Sequence, residues 1–215
     1  MQRKFTDVPP QALYGFAEYL TEKAVNYRDD PFKLRAGGES NWYLDVRMPL
    51  GLIGASLFVG ELIVAKAEFL GIEWDVLAAS GIGGKPPMFG ARWASRSRIA
   101  EINDNEKERT LADDNYPYGL HPPVSTGDRI VVVDDTLTSG DSVITSIKMS
   151  RGIRKNVEGD GEFVIEGQQG VVEHAFVVVD RSHGVGSEAV AAYGVHVHAL
   201  FEFSEDTGLI TPIGL

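Results

Sequence analysis

The sequence predicts an α/β fold in which a central, mostly parallel sheet is flanked by helices. Short apolar segments rich in β-branched residues alternate along the chain with segments whose apolar residues recur at helical spacing. The segments 130–134 and 174–180 are largely apolar, as is typical of parallel strands that helices bury on both faces. The 215 residues suffice for one such domain with a well-buried core.

Composition and charge exclude several classes of protein. The net charge of −11 argues against a nucleic-acid partner, since binding to a phosphate backbone needs a basic face. The absence of cysteine excludes disulfides, thiolate metal sites and a cysteine nucleophile. The first residues do not resemble a signal peptide, and no apolar run reaches the roughly 18 residues that a membrane span needs. We therefore expect a cytoplasmic protein that has no membrane partner.

The N-terminal half predicts helices around two groups of strands. Prolines in an opening turn and an apolar stripe that packs in the core predict a first helix over about 9–24. Two short strands are expected within 31–47, around the turn Ala36-Gly37-Gly38. A helix is predicted over 51–70 and a strand over 74–80. The glycine turn 81–84 ends this strand, and a further helix is predicted at about 86–95.

The C-terminal half begins with a long polar stretch. Residues 96–128 are irregular in pattern, and a segment of this length within a compact domain is usually a functional loop or lid, here with one short strand near 98–102. The remaining predictions are a strand over 130–134, a helix over about 140–151, an inserted hairpin over 152–172, a strand over 174–180, a helix around 189–193 and a strand over 195–203. We expect a single domain over 1–215, with a small N-terminal portion at about 1–50, a core at about 51–215 and a flexible loop at about 98–121.

The segment Ile-Val-Val-Val-Asp-Asp-Thr-Leu-Thr-Ser-Gly-Asp-Ser at 130–142 carries the most functional information. Ligands of open parallel sheets sit beyond the carboxyl ends of the strands, and Asp134 and Asp135 lie at such an end. Carboxylates there suit the hydroxyls of a ribose and would stabilise a developing oxocarbenium ion. The residue types alone predict a sugar-phosphate site.

The small residues after the acid pair fit a phosphate. Thr138 to Ser142 lie where a loop meets a helix, and backbone N–H groups at a helix N-terminus bind anions. Gly140 allows the backbone to approach a phosphate closely, and the hydroxyls add donors. An ordinary helix cap is the alternative that these residue types leave open. No G-x-x-x-x-G-K-[ST] or complete G-x-G-x-x-G motif supports another phosphate fold.

Three segments resemble orotate phosphoribosyltransferases of the type I phosphoribosyltransferase family. Val-Val-Val-Asp-Asp-Thr-Leu-Thr-Ser-Gly is similar to the family signature for phosphoribosyl diphosphate (PRPP). Residues 32–37 and 40–47 resemble the family's N-terminal hood, which reads F-x-L-K-S-G and then S-P-x-Y/F-x-D-x-R. Val179-Asp180-Arg181-Ser182-His183-Gly184 resembles the late V-D-R-x-x-G segment. The resemblance implies a type I phosphoribosyltransferase core with a small N-terminal hood.

The resemblance also implies roles for individual residues. Asp134 and Asp135 would contact the ribose diol and stabilise charge during catalysis. The 5′-phosphate loop would consist of Thr138, Ser139, Gly140, Asp141 and Ser142, and the pyrophosphate side of Gly81, Ile82, Gly83 and Gly84. Trp42 and Tyr43 would flank the base, Arg35 replaces the hood lysine, and Arg181 would meet the carboxylate of orotate. An aromatic face and an arginine suit a planar anionic base.

The chain departs from the family pattern in two places. Asp141 stands where orotate enzymes have threonine, and we expect it to point outward because a carboxylate repels phosphate. The basic run of the family's mobile loop is not present in 98–121. Lys107 and Arg109 are the best-placed catalytic cations there, although their alternation with glutamates is equally typical of a solvated face. Lys85, directly after the glycine turn, is a further candidate for binding PRPP.

The sequence therefore favours an enzyme that transfers a phosphoribosyl group from PRPP to orotate or a similar anionic base, in pyrimidine nucleotide biosynthesis. Mg²⁺ is expected through PRPP, and no residue is assigned as a direct metal ligand. His196 and His198, on one face of a strand, are expected to be structural. A homodimer is implied by the resemblance alone. Two alternatives stay open: a salvage phosphoribosyltransferase for another nucleobase, and a PRPP-sensing regulator without catalytic activity.

Overall fold

The computed structural model of the chain describes residues 8–33, 39–103, 119–155 and 161–213. Its N-terminal part consists of helix α1 (Pro10–Ala24) and the antiparallel pair β1 (Val25–Lys33) and β2 (Glu39–Leu44). Phe16 of α1 packs against Phe58 and Phe201, with ring centroids 4.8 and 5.8 Å away. The apolar stripe of α1 therefore packs in the core, as predicted.

The central sheet has seven strands. Their bounds are β3 (Val76–Ser80), β4 (Arg98–Asn103), β5 (Gly119–His121), β6 (Arg129–Leu137), β9 (Val171–Asp180), β10 (His196–Ser204) and β11 (Leu209–Pro212). The order across the sheet is β11-β10-β9-β6-β3-β4-β5. All neighbours from β10 to β4 are parallel, and the edge strands β11 and β5 are antiparallel to them. The predicted mostly parallel sheet is confirmed.

Helices cover both faces of this sheet. They are α2 (Arg47–Leu50), α3 (Ile53–Leu70), α4 (Gly81–Ser95), α5 (Asp141–Ser150) and α6 (Val185–Ala191). Successive residues of β6 point to opposite faces. Val131 and Val133 pack in the cluster that α3 and α4 cover, and Ile130 and Val132 pack in the one that α5 and α6 cover. No helix within the described ranges is long and apolar enough to cross a membrane.

Several predicted boundaries differ from the observed ones. The prediction of a helix from about residue 86 is wrong at its start, because α4 begins at Gly81 and contains Pro86 and Pro87. These prolines lack the N–H groups that would bond the carbonyls of Ile82 and Gly83, so the helix loses only bonds of its first turn. The edge strands β5 and β11 were not predicted. Within 152–172, β7 (Ile153–Lys155) pairs antiparallel with β8 (Glu162–Val164).

Helices α3 and α4 cross at a pair of glycines. A Cβ atom added to Gly60 would overlap the backbone of Gly90 and Ala91, and one added to Gly90 would overlap the carbonyl of Ser56. The hydroxyl of Ser56 donates a hydrogen bond to the carbonyl oxygen of Pro86 at 2.6 Å. The two backbones are therefore in direct contact, and this contact fixes where the first turn of α4 meets the sheet.

Candidate active site

The acid pair lies at the carboxyl end of β6, in the centre of the sheet. Asp134 is only 7% exposed. Its Oδ1 accepts a hydrogen bond from the backbone N–H of Asp135 at 2.9 Å, and its Oδ2 accepts one from the hydroxyl of Ser142 at 2.8 Å. Asp134 therefore faces the start of α5, and these two donors fix the orientation of its carboxylate.

Asp135 faces the opposite direction, toward the first turn of α4. A Cβ atom at Gly83 would overlap the carboxylate of Asp135, and one at Gly84 would lie 2.6 Å from the carbonyl oxygen of Val133. Only glycine allows α4 to begin this close to β6. The structure thus brings the glycine turn 81–84 and the acid pair to one place, as their predicted common site requires.

Burial raises the pKa of both acids. It is the main cause that raises the pKa of Asp134 to about 7, with the charge of Asp135 as a second cause, and the hydrogen bond from Ser142 opposes the rise. Burial also raises the pKa of Asp135, against the hydrogen bond with Asp134 and the positive charge of Arg47. Near neutral pH the pair therefore holds less than two full negative charges in the free protein.

Arg47 is a site residue that the sequence analysis did not single out. Its Nε and Nη2 donate to the two carboxylate oxygens of Asp45 at 2.7 and 2.8 Å, and its charge reaches Asp135. Asp45 in turn raises the pKa of Arg47, so the guanidinium stays charged. The hood pattern, which ends in D-x-R, could have identified Arg47. In this pattern the acid is Asp45, which orients the arginine through the two hydrogen bonds.

The loop after the acids leads directly into α5. Gly140 precedes this helix with a φ of 86°, a left-handed conformation that favours glycine. Asp141 is exposed, and its Oδ2 accepts a hydrogen bond from Ser139 at 2.8 Å, so its carboxylate stays beside the loop. Ser142, a predicted phosphate donor, gives its hydrogen bond to Asp134. Thr138 lies against the first turn of α6, where its carbonyl oxygen would be 2.5 Å from a Cβ at Gly186.

The two hood aromatics lie on opposite faces of β2. The ring of Trp42 packs edge-on against Phe203, with centroids 6.0 Å apart, and contacts the backbone of Gly208. Tyr43 is 40% exposed, and its hydroxyl accepts a weak hydrogen bond from Arg47 at 3.4 Å. Trp42 thus lies on the side of β10, and Tyr43 on the side of Arg47. Arg35, the predicted hood cation, lies outside the described residues.

Arg181 lies at the carboxyl end of β9, next to β10. Its side chain is 6% exposed, and its Nη2 donates to Oε1 of Glu205 at 2.8 Å. The same oxygen accepts a hydrogen bond from the hydroxyl of Ser40 in β2, at 3.2 Å. The ring of Phe203 lies 5.9 Å from the guanidinium. The predicted base residues Arg181 and Trp42 thus share Phe203, and nothing in the sequence pattern pointed to Glu205.

The predicted pyrophosphate cation Lys85 is already in an ion pair. Its Nζ lies 2.7 Å from Oε2 of Glu101 in β4, and both side chains are partly exposed. An exposed pair of this kind is weak, so Lys85 can exchange Glu101 for another anion. Lys107 and Arg109, the predicted catalytic cations, lie outside the described residues.

The histidines of β10 pair with a histidine of β9. Nδ1 of His174 and Nε2 of His198 are 3.1 Å apart, and burial lowers the pKa of His198 to about 4. The two rings are therefore neutral near pH 7. No group of three His, Asp or Glu side chains in the described part of the chain could hold a metal ion.

Comparison with known proteins finds similarity to orotate phosphoribosyltransferases in sequence and in structure. No family model matches the chain. An orotate phosphoribosyltransferase of Pyrococcus furiosus is 28% identical over 189 residues, which cover 85% of this chain and 91% of that protein. The crystal structure of orotate phosphoribosyltransferase from Aeropyrum pernix matches with a TM-score of 0.63 at 23% identity, covering 86% and 91% of the two chains. The Mycobacterium tuberculosis enzyme in complex with PRPP matches with a TM-score of 0.59 at 19% identity, covering 94% and 95%.

The chain shares its fold with the solved phosphoribosyltransferases that it matches, the class whose signature the segment 130–142 resembles. Within that class, the chain is similar over most of its length to orotate phosphoribosyltransferases, in sequence and in structure. The predicted fold class and the predicted resemblance are both confirmed.

Proposed function

We propose that this protein transfers the phosphoribosyl group of PRPP to orotate, giving the nucleotide and pyrophosphate in pyrimidine biosynthesis. One observation carries the proposal: the acids of β6, the first turn of α4 and the N-terminus of α5 meet at the carboxyl end of the sheet. Acids suit the ribose diol, and the two helix starts offer N–H groups to the phosphates. The relatives named for this reaction support it.

In this proposal the protein acts mainly by positioning and by charge. Asp134 and Asp135 accept hydrogen bonds from the ribose hydroxyls, and their negative charge stabilises the oxocarbenium character that develops as pyrophosphate leaves. The charge of Arg47 opposes the rise that burial causes in the pKa of Asp135, and so favours the ionised form of that carboxyl. The loop 138–142 holds the 5′-phosphate, and Lys85 with the turn 81–84 holds the diphosphate. The ring nitrogen of the base then attacks C1 of the ribose, with no covalent enzyme intermediate.

Mg²⁺ fits this site when it binds together with PRPP. The acid pair offers carboxylate oxygens, which are the ligands that this cation prefers, but the described residues hold no cluster able to bind a metal alone. The diphosphate would therefore supply most of the ligands. When bound, the cation neutralises charge on the leaving pyrophosphate.

The test of the proposal is pyrophosphate release from PRPP and Mg²⁺ with one base at a time. We expect release with orotate and none with adenine, hypoxanthine or guanine. Release with one of these purines and not with orotate would make the protein a salvage enzyme. Calorimetric binding of PRPP without release from any base would identify a sensor and contradict both enzymatic functions.

We further propose that the protein works in the cytoplasm as a homodimer, built on an exposed apolar patch on α3 and α4. The patch consists of Ile53, Phe89 and Trp93, which are 78%, 45% and 77% exposed. Apolar side chains grouped in this way are typical of interfaces between subunits. A second copy related by twofold symmetry would bury the same patch on both chains.

Replacement of Trp93 by aspartate is expected to shift the protein from dimer to monomer, because it places a charge in the centre of the apolar patch. Light scattering coupled to gel filtration measures the mass. Tyr14→Asp, at a site on α1 that is 60% exposed, is the matched control and should leave the dimer intact. A monomeric wild-type protein, or a dimeric Trp93→Asp variant, would contradict this arrangement.

A further inference from the structure

The hydroxyl of Ser142 is directed at the acid pair. Its Oγ lies 2.8 Å from Oδ2 of Asp134, and this hydrogen bond joins the first turn of α5 to the end of β6. A serine hydroxyl has a single hydrogen, so the bond to Asp134 leaves none for a phosphate oxygen. Ser142 therefore has only its backbone N–H to offer to a phosphate, although the sequence pattern predicts its hydroxyl as a phosphate donor.

Asp134 depends on this bond for the orientation of its carboxylate. Its other oxygen, Oδ1, accepts a hydrogen bond from the backbone N–H of Asp135 at 2.9 Å. The terminal torsion of an aspartate has a broad energy minimum, so this bond alone would leave the carboxylate free to rotate. The two bonds together use two of the four acceptor positions of the carboxylate. The other two positions then point in fixed directions, as the recognition of two neighbouring hydroxyls requires.

A second serine of α5 fixes the place from which Ser142 acts. Ser146 lies one turn further along the same face of the helix and is 1% exposed. Its Oγ lies 2.9 Å from the carbonyl oxygen of Ser142 and 3.0 Å from Oγ of Ser80, the last residue of β3. Ser80 is buried as well, and buried hydroxyls need such hydrogen-bond partners. The beginning of α5 is thus tied to β3 as well as to β6.

We propose that Ser142 is a positioning residue, which orients the carboxylate of Asp134 toward the ribose diol and is itself held in place by Ser146 and Ser80. This inference rests on the proposed function, because that function gives Asp134 the diol as its ligand. The backbone N–H groups of the loop bind the 5′-phosphate, whereas the hydroxyl of Ser142 acts on the ribose through Asp134. Hydrogen bonds to a carboxylate are stronger than those between neutral groups, so the loss of this one should be measurable.

Ribose 5-phosphate and its 2,3-dideoxy analogue test this role, since both carry the phosphate and only the first carries the diol. Calorimetry measures the affinity of each variant for each ligand. We expect Ser142→Ala to bind ribose 5-phosphate about tenfold more weakly than the wild type, as for loss of a hydrogen bond to a charged group. The same variant should bind the dideoxy analogue as the wild type does. Ser142→Thr keeps the hydroxyl and should restore most of the affinity for ribose 5-phosphate.

Three further variants complete the series. Ser139→Ala removes a hydroxyl of the same loop that donates to Asp141, so any loss of affinity should be equal for the two ligands. Thr145→Val removes a hydroxyl from α5 outside the loop 138–142 and should change neither affinity. Ser146→Ala frees the start of α5, so it should weaken the binding of ribose 5-phosphate alone, and by less than Ser142→Ala. Thermal unfolding verifies that each variant is folded.

An equal loss of affinity for both ligands in Ser142→Ala would overturn the inference, since Ser142 would then contact the phosphate itself. Wild-type affinity of Ser142→Ala for ribose 5-phosphate would overturn it too, as would a Ser142→Thr variant that binds no better than Ser142→Ala. A wild-type protein that binds neither ligand would also contradict it. Failure of the proposed function gives a different result, because these ligands contain no base. If PRPP is not turned over with orotate, the proposed function fails, whereas a loss of affinity that depends on the diol still supports the role of Ser142.

Discussion

Replacement of Asp134 and Asp135 together by asparagine is expected to abolish PRPP binding and, at the same time, to make the folded protein more stable. The double variant removes both charged acceptors for the ribose diol, so calorimetry should detect no binding at PRPP concentrations that saturate the wild type. The gain in stability follows from the raised pKa values, because the folded protein must ionise two buried acids as the pH approaches neutrality.

The sign of the pH dependence can be worked out for Asp134. The ordinary pKa of an aspartate is 3.8, and the pKa of Asp134 in the folded protein is about 7. Between these values the folded state binds more protons than the unfolded one, so this group's stabilising contribution is full below pH ~4 and is lost as the pH rises toward 7. We expect the free energy of unfolding of the double variant to exceed that of the wild type by roughly 2–4 kcal/mol at pH 7.5. At pH 4 the difference should be much smaller.

Denaturant unfolding at several pH values measures this difference. Glu173→Gln, an exposed acid on β9, is the control for loss of surface charge and should leave both PRPP binding and stability close to wild type. Binding of PRPP with wild-type affinity by the double variant would remove the site assignment. A double variant less stable than the wild type at pH 7.5 would show that the acids are held by favourable interactions.

Substitution of Gly60 by alanine is expected to destabilise the protein by about 3 kcal/mol or more, at the upper end of what overpacking costs. The added methyl group would overlap the backbone of Gly90 and Ala91, which cannot move away as a flexible side chain could. Helices α3 and α4 would have to separate. Because α4 begins with the glycines beside Asp135, the variant should also bind PRPP less tightly.

Gly54→Ala is the matched control on the same helix. A Cβ atom at Gly54 has nothing within 4 Å, so the change should stabilise the helix by about 0.5–1 kcal/mol through its higher helix propensity. Thermal unfolding and PRPP titration of both variants check the pair. Equal stability of Gly60→Ala and the wild type would mean that the α3–α4 contact can relax.

The sequence predicted the parallel part of the fold because each parallel strand is recognisable from its own residues. β6 and β9 are buried on both faces, so their β-branched runs stand out, and the acid pair marks the end of β6. The edge strands β5 and β11 have only three and four residues, too few for a clear periodic pattern. The early start of α4 was missed because glycine and proline usually end a helix, and only packing against β6 shows why they are needed here.

The sequence predicted those residues of the candidate site that lie within a single local motif. The acids, the phosphate loop and Arg181 each lie in a motif that can be read from neighbouring residues. The contacts of Glu205 could not be predicted, because its partners Arg181 and Ser40 lie 24 and 165 residues away. Arg47 lay inside a quoted motif, but its effect on Asp135 arises from the position of α2 in three dimensions.

The contact of Trp42 with Gly208 joins the N-terminal hood to the turn between β10 and β11. The same junction includes the hydroxyl of Thr21, which accepts a hydrogen bond from the backbone N–H of Ile210 across 189 residues. Contacts of such long range form late, since the loop between them must close first. During synthesis β10 and β11 leave the ribosome after β6 and the start of α5. The segment proposed to bind phosphate is thus made well before the strands against which the hood packs, so the proposed base site can form only after β10 and β11 have been made.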